Sequence, residues 1–265
     1  MKLKDKIILI TGGSSGIGRA SALLLAQEGA ILILQARSID KLKSTAAEIE
    51  ALGAQVHYYT TDLKSPEAIE KAADQMIEEV GLPEVIINSA GEGEWLSLKE
   101  ASLAHFKKTI ESPYLATAYT CKVFYDRMEV RAQGHFIIIN SAASYFSFPG
   151  VTGYAAARWA LLGFAKALQA DLFQSHFKVS LVSFGKVDSP YFTNNPVSEN
   201  RIPKISDWLV PTLSVEDAAK VILKTVKSPK NTTIRPTMMN VLVKMYPFFP
   251  KMFSYLMRKT GHHAN

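Results

Sequence analysis

"KIILITGGSSGIGRA" occupies residues 6–20 and decides the fold of this 265-residue chain. The apolar run at 6–11 is typical of a buried strand, and the residues from 20 onward have helical spacing. Between them, glycines at 12, 16 and 18 permit a tight turn in which a phosphate approaches the helix N-terminus closely. The stretch predicts a nucleotide-binding strand–turn–helix unit, with a turn of purely structural use as the alternative.

Strand and helix patterns alternate along most of the chain. Further strands are predicted at 31–36, 55–62, 84–91, 134–140 and 178–185. Helices are predicted at 20–30, 38–53, 65–81, 102–130, 153–174 and 214–226. Strands that alternate with helices imply parallel βαβ units. The predicted fold class is α/β, a single doubly wound parallel sheet with helices on both faces.

The composition is that of a globular protein, with 48% hydrophobic and 20% charged residues. The single cysteine, Cys121, excludes an internal disulfide and a multi-thiol metal site. We therefore expect no metal and a reducing compartment, the cytoplasm. The apolar run near the N-terminus is too short for a signal peptide, and no run approaches the roughly 18 residues of a transmembrane helix.

The positive charge is concentrated at the end of the chain. The chain has a net charge of +6. The residues after 217 include nine Lys and Arg and no acid, so residues 1–217 carry a net charge of −3. Within 240–263, aromatic and aliphatic residues alternate with cations, as in an interfacial membrane segment. Either this arm contacts a membrane peripherally or it packs on the same subunit or a partner. We expect a domain at 1–235 and an arm at 236–265.

Residues 189–213 have four prolines and no clean period. A loop of this length in a compact domain is usually functional, so we interpret it as a substrate lid. Its apolar side chains are Tyr191, Phe192, Ile202, Ile205, Trp208 and Leu209. They favour either an apolar substrate or a core that the lid merely covers.

The end of the second predicted strand indicates the choice of nucleotide. A dinucleotide fold that selects NAD usually has an acid there, which holds the ribose hydroxyls. This chain has no acid before Asp40 and instead offers Arg37 and Lys41. Both cations suit a 2′-phosphate, so we predict NADP(H).

Five motifs occur together in one order: "TGGSSGIG" (11–18), "DL" (62–63), "NSAG" (88–91), Ser141 thirteen residues before Tyr154, and "FGKVDSP" (184–190). In order and spacing, residues 5–225 resemble the short-chain dehydrogenase/reductase (SDR) family. The stretch "QARSIDKL" and the basic aromatic C-terminus look most like its 3-ketodihydrosphingosine reductase branch. The resemblance implies a Rossmann fold with one dinucleotide at the C-terminal edge of the sheet.

The resemblance also assigns the cofactor site. It implies contacts to the pyrophosphate and ribose from Gly12, Ser14, Ser15, Gly16, Ile17 and Gly18. It places Asp62 and Leu63 beside the adenine, Asn88, Ala90 and Gly91 on the ribose side, and Gly185 and Val187 at the nicotinamide. Tyr154 and Arg158 complete the set.

The same resemblance assigns the chemistry to Ser141, Tyr154 and Arg158. Tyr154 donates the proton to a carbonyl oxygen, and Ser141 holds that oxygen by a hydrogen bond. A tyrosine exchanges its proton poorly at neutral pH unless a cation stabilises the anion. The family has lysine where this chain has Arg158, which lies one helical turn beyond Tyr154. Arginine keeps the charge but cannot deprotonate, so we expect a slower enzyme rather than an inactive one.

Two further positions depart from the family pattern. Glu111 stands where the family has asparagine, on a helix that Pro113 could distort by itself. Its carboxylate either pairs with Arg158 or faces solvent. Phe184 replaces the usual proline before Gly185.

These patterns predict an NADP(H)-dependent reductase of an apolar, long-chain keto substrate. A nucleotide-binding pseudoenzyme with a sensing or assembly role is the alternative, and a lipid-binding protein without turnover is a third reading. From the family we expect a homodimer or homotetramer. We expect the protein to bind a small ketone or alcohol as its substrate, and we expect it not to bind nucleic acid.

Overall fold

The computed structural model describes residues 3–203 and 209–261. Its central sheet consists of β1 (Ile7–Thr11), β2 (Ile31–Ala36), β3 (Val56–Thr60), β4 (Val85–Asn88), β5 (Gln133–Ser141), β6 (His176–Phe184) and β9 (Thr232–Arg235). The order is β3-β2-β1-β4-β5-β6-β9, and all neighbours are parallel. A small parallel pair, β7 (Val187–Asp188) with β8 (Leu213–Ser214), stands apart. The strand order reverses between β1 and β4, and in such sheets ligands bind at that switch point.

The helices are α1 (Gly16–Gln27), α2 (Ile39–Ala51), α3 (Pro66–Glu79), α4 (Leu103–Ile110), α5 (Ala116–Met128), α6 (Thr152–Asp171), α7 (Pro190–Asn194), α8 (Pro196–Glu199), α9 (Val215–Lys227), α10 (Thr237–Met245) and α11 (Pro250–Thr260). Several begin as the sequence predicts, because a serine side chain accepts a backbone N–H of the first turn. Ser38, Ser65, Ser102 and Ser214 have this role. None of the helices in the described ranges is both long and apolar enough to cross a membrane.

Two apolar clusters cover the two faces of the sheet. Leu9, Ile33 and Ile86 point to the face that α3, α5 and α6 cover. Their neighbours Ile8 and Leu32 point to the other face, which α1, α2 and α9 cover. Successive strand residues alternate between faces, so strands buried on both sides must be apolar throughout. The doubly wound Rossmann-type fold is thereby confirmed.

The helix predicted near 102–130 is interrupted at the place where Pro113 indicates a distortion. α4 ends at Ile110 and α5 begins at Ala116. Between them Ser112 is extended, with φ −138° and ψ 119°. Pro113 has no N–H for the helical ladder and disfavours the α conformation in the residue before it, so the helix cannot pass through.

The lid and the arm contain more regular structure than their sequences indicate. Short helices α7 and α8 lie within 189–213, whereas Ile205 and Trp208 fall outside the described residues. The arm forms α10 and α11, which fold back on the domain. Their Met239 and Phe253 are buried against Phe146, Val210 and Ile234. The arm therefore packs at least partly on its own subunit.

Candidate active site

A cavity of about 920 Å³ opens at the carboxyl ends of the parallel strands. Its walls include the glycine turn after β1, the ends of β2, β4 and β5, the first turn of α6, the lid and the arm. All parallel strands end at this edge, so loops that are far apart in sequence meet there. The cavity is therefore the candidate site for both a dinucleotide and a second molecule.

The glycine turn is packed too closely for side chains. Gly12 has φ +69°, and a Cβ there would lie 2.9 Å from Ala90 Cα. A Cβ on Gly18 would overlap the carbonyl oxygen of Gly12. α1 begins at Gly16 with no acidic residue in its first turn, and no side chain caps it at Ser15. Its free N–H groups and positive dipole end fit a pyrophosphate.

A network of charges spans the adenosine end of the cavity. Glu92 accepts a hydrogen bond from Arg37 Nη2 at 2.7 Å, and its other oxygen lies 2.7 Å from Lys64 Nζ. Burial raises the pKa of Glu92, but hydrogen bonding to Lys64 and the charge of Arg37 outweigh this and hold it below its usual range. Lys41 lines the same end. Arg37 is 65% exposed and uses one nitrogen for Glu92. Its guanidinium thus retains donors for a phosphate.

Tyr154, Arg158 and Ser141 all line the cavity. Tyr154 and Arg158 lie on successive turns of α6 and are 4% and 8% exposed. The Arg158 guanidinium carbon lies 5.0 Å from the centre of the Tyr154 ring. Ser141 ends β5, and its Oγ accepts from Ala143 N at 3.3 Å, which leaves its own proton free to donate. The arrangement offers one acid, one cation beside it and one hydroxyl donor.

Two buried polar atoms of residues that line the cavity near Tyr154 have no partner among the described residues: Arg158 Nε and Asn140 Oδ1. A buried polar atom without a hydrogen bond is costly, and a ligand or an ordered water in the cavity would supply the missing partners. Arg158 Nη2 would lie 3.1 Å from a Cβ at Gly91. The residues present thus fit a ribose beside the Tyr154–Arg158 pair.

Glu111 lies away from that pair. Its carboxylate oxygens are 3.9 Å from Lys64 Nζ and 3.9 Å from Lys107 Nζ. Within residues 3–203 and 209–261 it makes no ion pair with Arg158. Of the two sequence-based alternatives, pairing with Arg158 is wrong. Glu111 is instead partly buried, with its side chain 26% exposed, and lies beside two lysines at the kink between α4 and α5.

Aromatic side chains enclose the end of the cavity beyond Tyr154. Trp95 lies 5.3 Å from the Tyr154 ring and 5.4 Å from Phe148. The Tyr191 hydroxyl of the lid donates to Gly93 O and accepts from Trp95 Nε1 at 3.0 Å. Burial, followed by the nearby Tyr154, raises the pKa of Tyr191 well above its usual value. Tyr191 therefore stays neutral and ties the lid to the loop after β4.

The structure gathers most of the residues that the sequence singles out. Those that line the cavity are Gly12, Ser14, Ser15, Gly16, Ile17, Arg37, Lys41, Asp62, Leu63, Ala90, Gly91, Ser141, Tyr154, Arg158, Gly185 and Val187. Gly18 and Asn88 support the turn and the strand end from behind, and Glu111 lies outside. Sequence reasoning missed Glu92, Lys64 and Trp95, whose loop positions carry no periodic signal. It also missed the arm as a cavity wall, although apolar residues at 239, 242 and 246 have helical spacing.

Comparisons with known proteins agree with this architecture. The family model described as short chain dehydrogenase matches residues 6–200. An uncharacterized oxidoreductase of Mycobacterium bovis is 30% identical over 225 residues. These make up 83% of this chain, and the chain spans 63% of that protein's length. Estradiol 17-beta-dehydrogenase 11 of Pongo abelii is 28% identical over 254 residues, covering 96% of this chain and 82% of that protein. The solved alcohol dehydrogenase of Thermococcus sibiricus, complexed with 5-hydroxy-NADP, has a TM-score of 0.74 and 28% identity. The alignment of the two covers 87% of this chain and 96% of the alcohol dehydrogenase chain.

Proposed function

The chain belongs to the short-chain dehydrogenase/reductase family, and on that basis we propose that it is an NADP(H)-dependent oxidoreductase. Its substrate is an apolar, long-chain keto compound, whose carbonyl it reduces. One observation carries the proposal. Tyr154 is buried in a cavity lined by Ser141, with the Arg158 guanidinium 5.0 Å from its ring. A surface tyrosine–arginine pair would not be buried in this way.

Three side chains divide the chemistry. When bound, NADPH would supply the hydride that the carbonyl carbon receives. Ser141 donates a hydrogen bond to the carbonyl oxygen, which orients the carbonyl and stabilises the charge that develops on it. Tyr154 transfers its hydroxyl proton to that oxygen, and Arg158 stabilises the tyrosinate that remains. Arg158 cannot itself deprotonate, so the tyrosinate must recover its proton from water.

The preference for NADP(H) rests on Arg37 and Lys41. Both line the cavity, Arg37 directly after β2 and Lys41 in the first turn of α2, and Asp40 is the one acid between them. Arg37 has donors left over beyond its contact with Glu92. The 5-hydroxy-NADP complex of the Thermococcus sibiricus alcohol dehydrogenase supports the same choice.

The apolar substrate rests on the far end of the cavity. Trp95, Phe148, Tyr191 and Phe192 surround Tyr154 there. Both the lid and the arm close the space with apolar side chains, so a polar substrate would lose its hydration without gaining partners. The estradiol dehydrogenase of Pongo abelii, by its name, also acts on an apolar molecule.

We propose that the protein is a homodimer or homotetramer that associates through α5 and α6. Trp159 on α6 is 46% exposed, which is large for a side chain of its size and supports a partner there. Peripheral membrane contact through 240–263 belongs to the same proposal.

The test is NADPH consumption with short, cyclic and long-chain ketones, comparing the wild type with Tyr154→Phe. We expect turnover in the wild type and a loss of at least about 100-fold in the variant, since general acid catalysis contributes about that much. Phenylalanine keeps the ring and its packing, so a thermal unfolding curve serves as the control. NADPH binding without consumption by either protein on any ketone would favour the nucleotide-binding pseudoenzyme instead.

A further inference from the structure

We propose that the outer face of α10 and α11 lies on an anionic lipid bilayer. The keto substrate then enters the cavity from that bilayer, between the two helices. This inference rests on the reductase function proposed above. The arm surface is defined here by its exposed apolar side chains: Met238, Val241, Met245, Phe248, Phe249, Met252 and Tyr255.

The arm surface is unusually apolar for a face in contact with water. Phe248 is 78% exposed and Tyr255 is 58% exposed. Scattered single apolar residues need no explanation, but here seven lie on two consecutive helices and the turn between them. A concentration of exposed apolar side chains on one short segment points to a surface that another apolar phase covers.

The cations on the same helices identify that phase. Lys244, Lys251, Arg258 and Lys259 are exposed, and the sequence has no acid after residue 217. Long basic side chains can bury their stems in the apolar boundary while their charges reach lipid phosphates. A second copy of the chain is a poorer occupant. A two-fold contact would place these cations against the same cations of the partner.

The substrate cavity reaches the arm surface. Met245 and Met252 line the cavity and are also 39% and 46% exposed. A shallow surface concavity lies at the turn between the helices, and Met252 lines both this concavity and the cavity. Methionine side chains are unbranched and adaptable, so they can part for an acyl chain without disturbing the backbone. An entrance at this point would receive a molecule dissolved in the bilayer and pass it to Tyr154 without exposure to water.

Two variants test the surface without touching the cavity. Tyr255→Ser removes apolar contact and Lys244→Glu reverses a charge, and neither residue lines the cavity or the concavity. Phe173→Ser is the aromatic control. It is 82% exposed and precedes β6, so it lies at the opposite edge of the sheet. Lys43→Glu on α2 is the charge control.

The first readout is cosedimentation with vesicles of phosphatidylcholine alone or mixed equally with phosphatidylserine. We expect the full chain to sediment with the mixed vesicles only. Lys244→Glu should weaken that binding about fivefold or more, since each cation near an anionic surface contributes about that factor. Sedimentation of the controls should match the wild type.

The second readout is NADPH consumption with a water-soluble cyclic ketone and with a long-chain ketone dissolved in the mixed vesicles. Both variants should lose rate on the vesicle-borne ketone and keep the wild-type rate on the soluble one. Wild-type protein that stays in the supernatant, or variants that use vesicle-borne ketone at full rate, would overturn the proposal. So would an oligomer that dissociates in both variants without vesicles, because a second copy would then cover the surface. Vesicle binding without turnover of any ketone would refute the reductase function and leave the lipid contact standing.

Discussion

Arg158 offers the sharpest test of the proposed chemistry, because charge and shape can be separated at this position. Its guanidinium carbon is 5.0 Å from the Tyr154 ring centre, and the side chain is 8% exposed. At an effective dielectric constant of about 20, a unit charge about 5 Å from a tyrosinate stabilises it by about 3 kcal/mol. Arg158→Met removes the charge and keeps most of the volume. We expect kcat to fall by roughly 100-fold.

Arg158→Lys is the matched control, since it keeps the charge on a chain of similar length. We expect its kcat to stay within about tenfold of the wild type, because an ammonium supplies the same charge as a guanidinium but without its planar fork. Steady-state NADPH oxidation at saturating ketone gives kcat for both variants. Stability should not confound the comparison. Arg158 Nε has no partner among the described residues, and Nη1 reaches only Ile139 O at 3.4 Å. Replacing such a buried charge with an apolar side chain is usually neutral or stabilising. If Arg158→Met turns over as fast as the wild type, the proposed role of the cation is wrong.

Three further outcomes are expected. Arg37→Ser should weaken NADPH binding by about tenfold or more and leave NADH binding unchanged, because it removes a charged hydrogen bond to a 2′-phosphate. Nucleotide fluorescence measures both affinities, and an equal loss for both nucleotides would contradict the assignment. Arg201, followed by Ser97, holds the pKa of Glu100 well below its usual range. The stability this provides is present above the usual glutamate range and is lost as the pH falls through the lower folded-state value. The melting temperature should therefore fall steadily below about pH 5, and it should fall less steeply with pH in Glu100→Gln. If the melting temperature of Glu100→Gln depends on pH as that of the wild type does, this ion pair is not the cause of the loss of stability. Gly18→Ala should abolish cofactor binding, because the added Cβ would overlap the backbone of the turn. Gly163→Ala is the control: a Cβ there has nothing within 4 Å, so it should raise the free energy of unfolding by about 1 kcal/mol in urea denaturation. A Gly18→Ala protein that binds NADPH normally would show that the turn can rearrange.

Most of the fold could be predicted from local patterns, although β9 and the helices of the lid and the arm were not. The strand predicted at 31–36 coincides with β2, and the helix predicted at 38–53 differs from α2 by one or two residues at each end. These elements were predictable because a strand buried on both faces must be apolar throughout, and because serine caps mark helix starts. The kink after Ile110 was predictable only in part. Pro113 indicates a distortion, but its extent depends on how the backbone of Ser112 settles against its neighbours.

Some residues of the candidate site were predicted correctly to lie together, and the partner of another was not. Gly12, Ser141, Tyr154 and Arg158 do line one cavity, because each lies at the same edge of a parallel sheet whose order the motifs follow. The partner of Glu111 could not be predicted. Its rotation about the kinked helix, and hence its pairing with lysines, depends on packing between α4, α5 and the loop after β3.

The sequence by itself determined the doubly wound sheet and the glycine turn, and its resemblance to the family led to the proposed acid and its neighbouring cation. The sheet and the turn follow from residues close together in the chain, where sterics, capping and strand alternation act directly. Only the tertiary structure decided that Glu92 joins Arg37 to Lys64, that Tyr191 ties the lid to Gly93, and that the arm forms a wall of the cavity. These contacts join segments about 25 to 100 residues apart or more, and they exist only because packing of the two apolar clusters brings distant loops to one edge of the sheet.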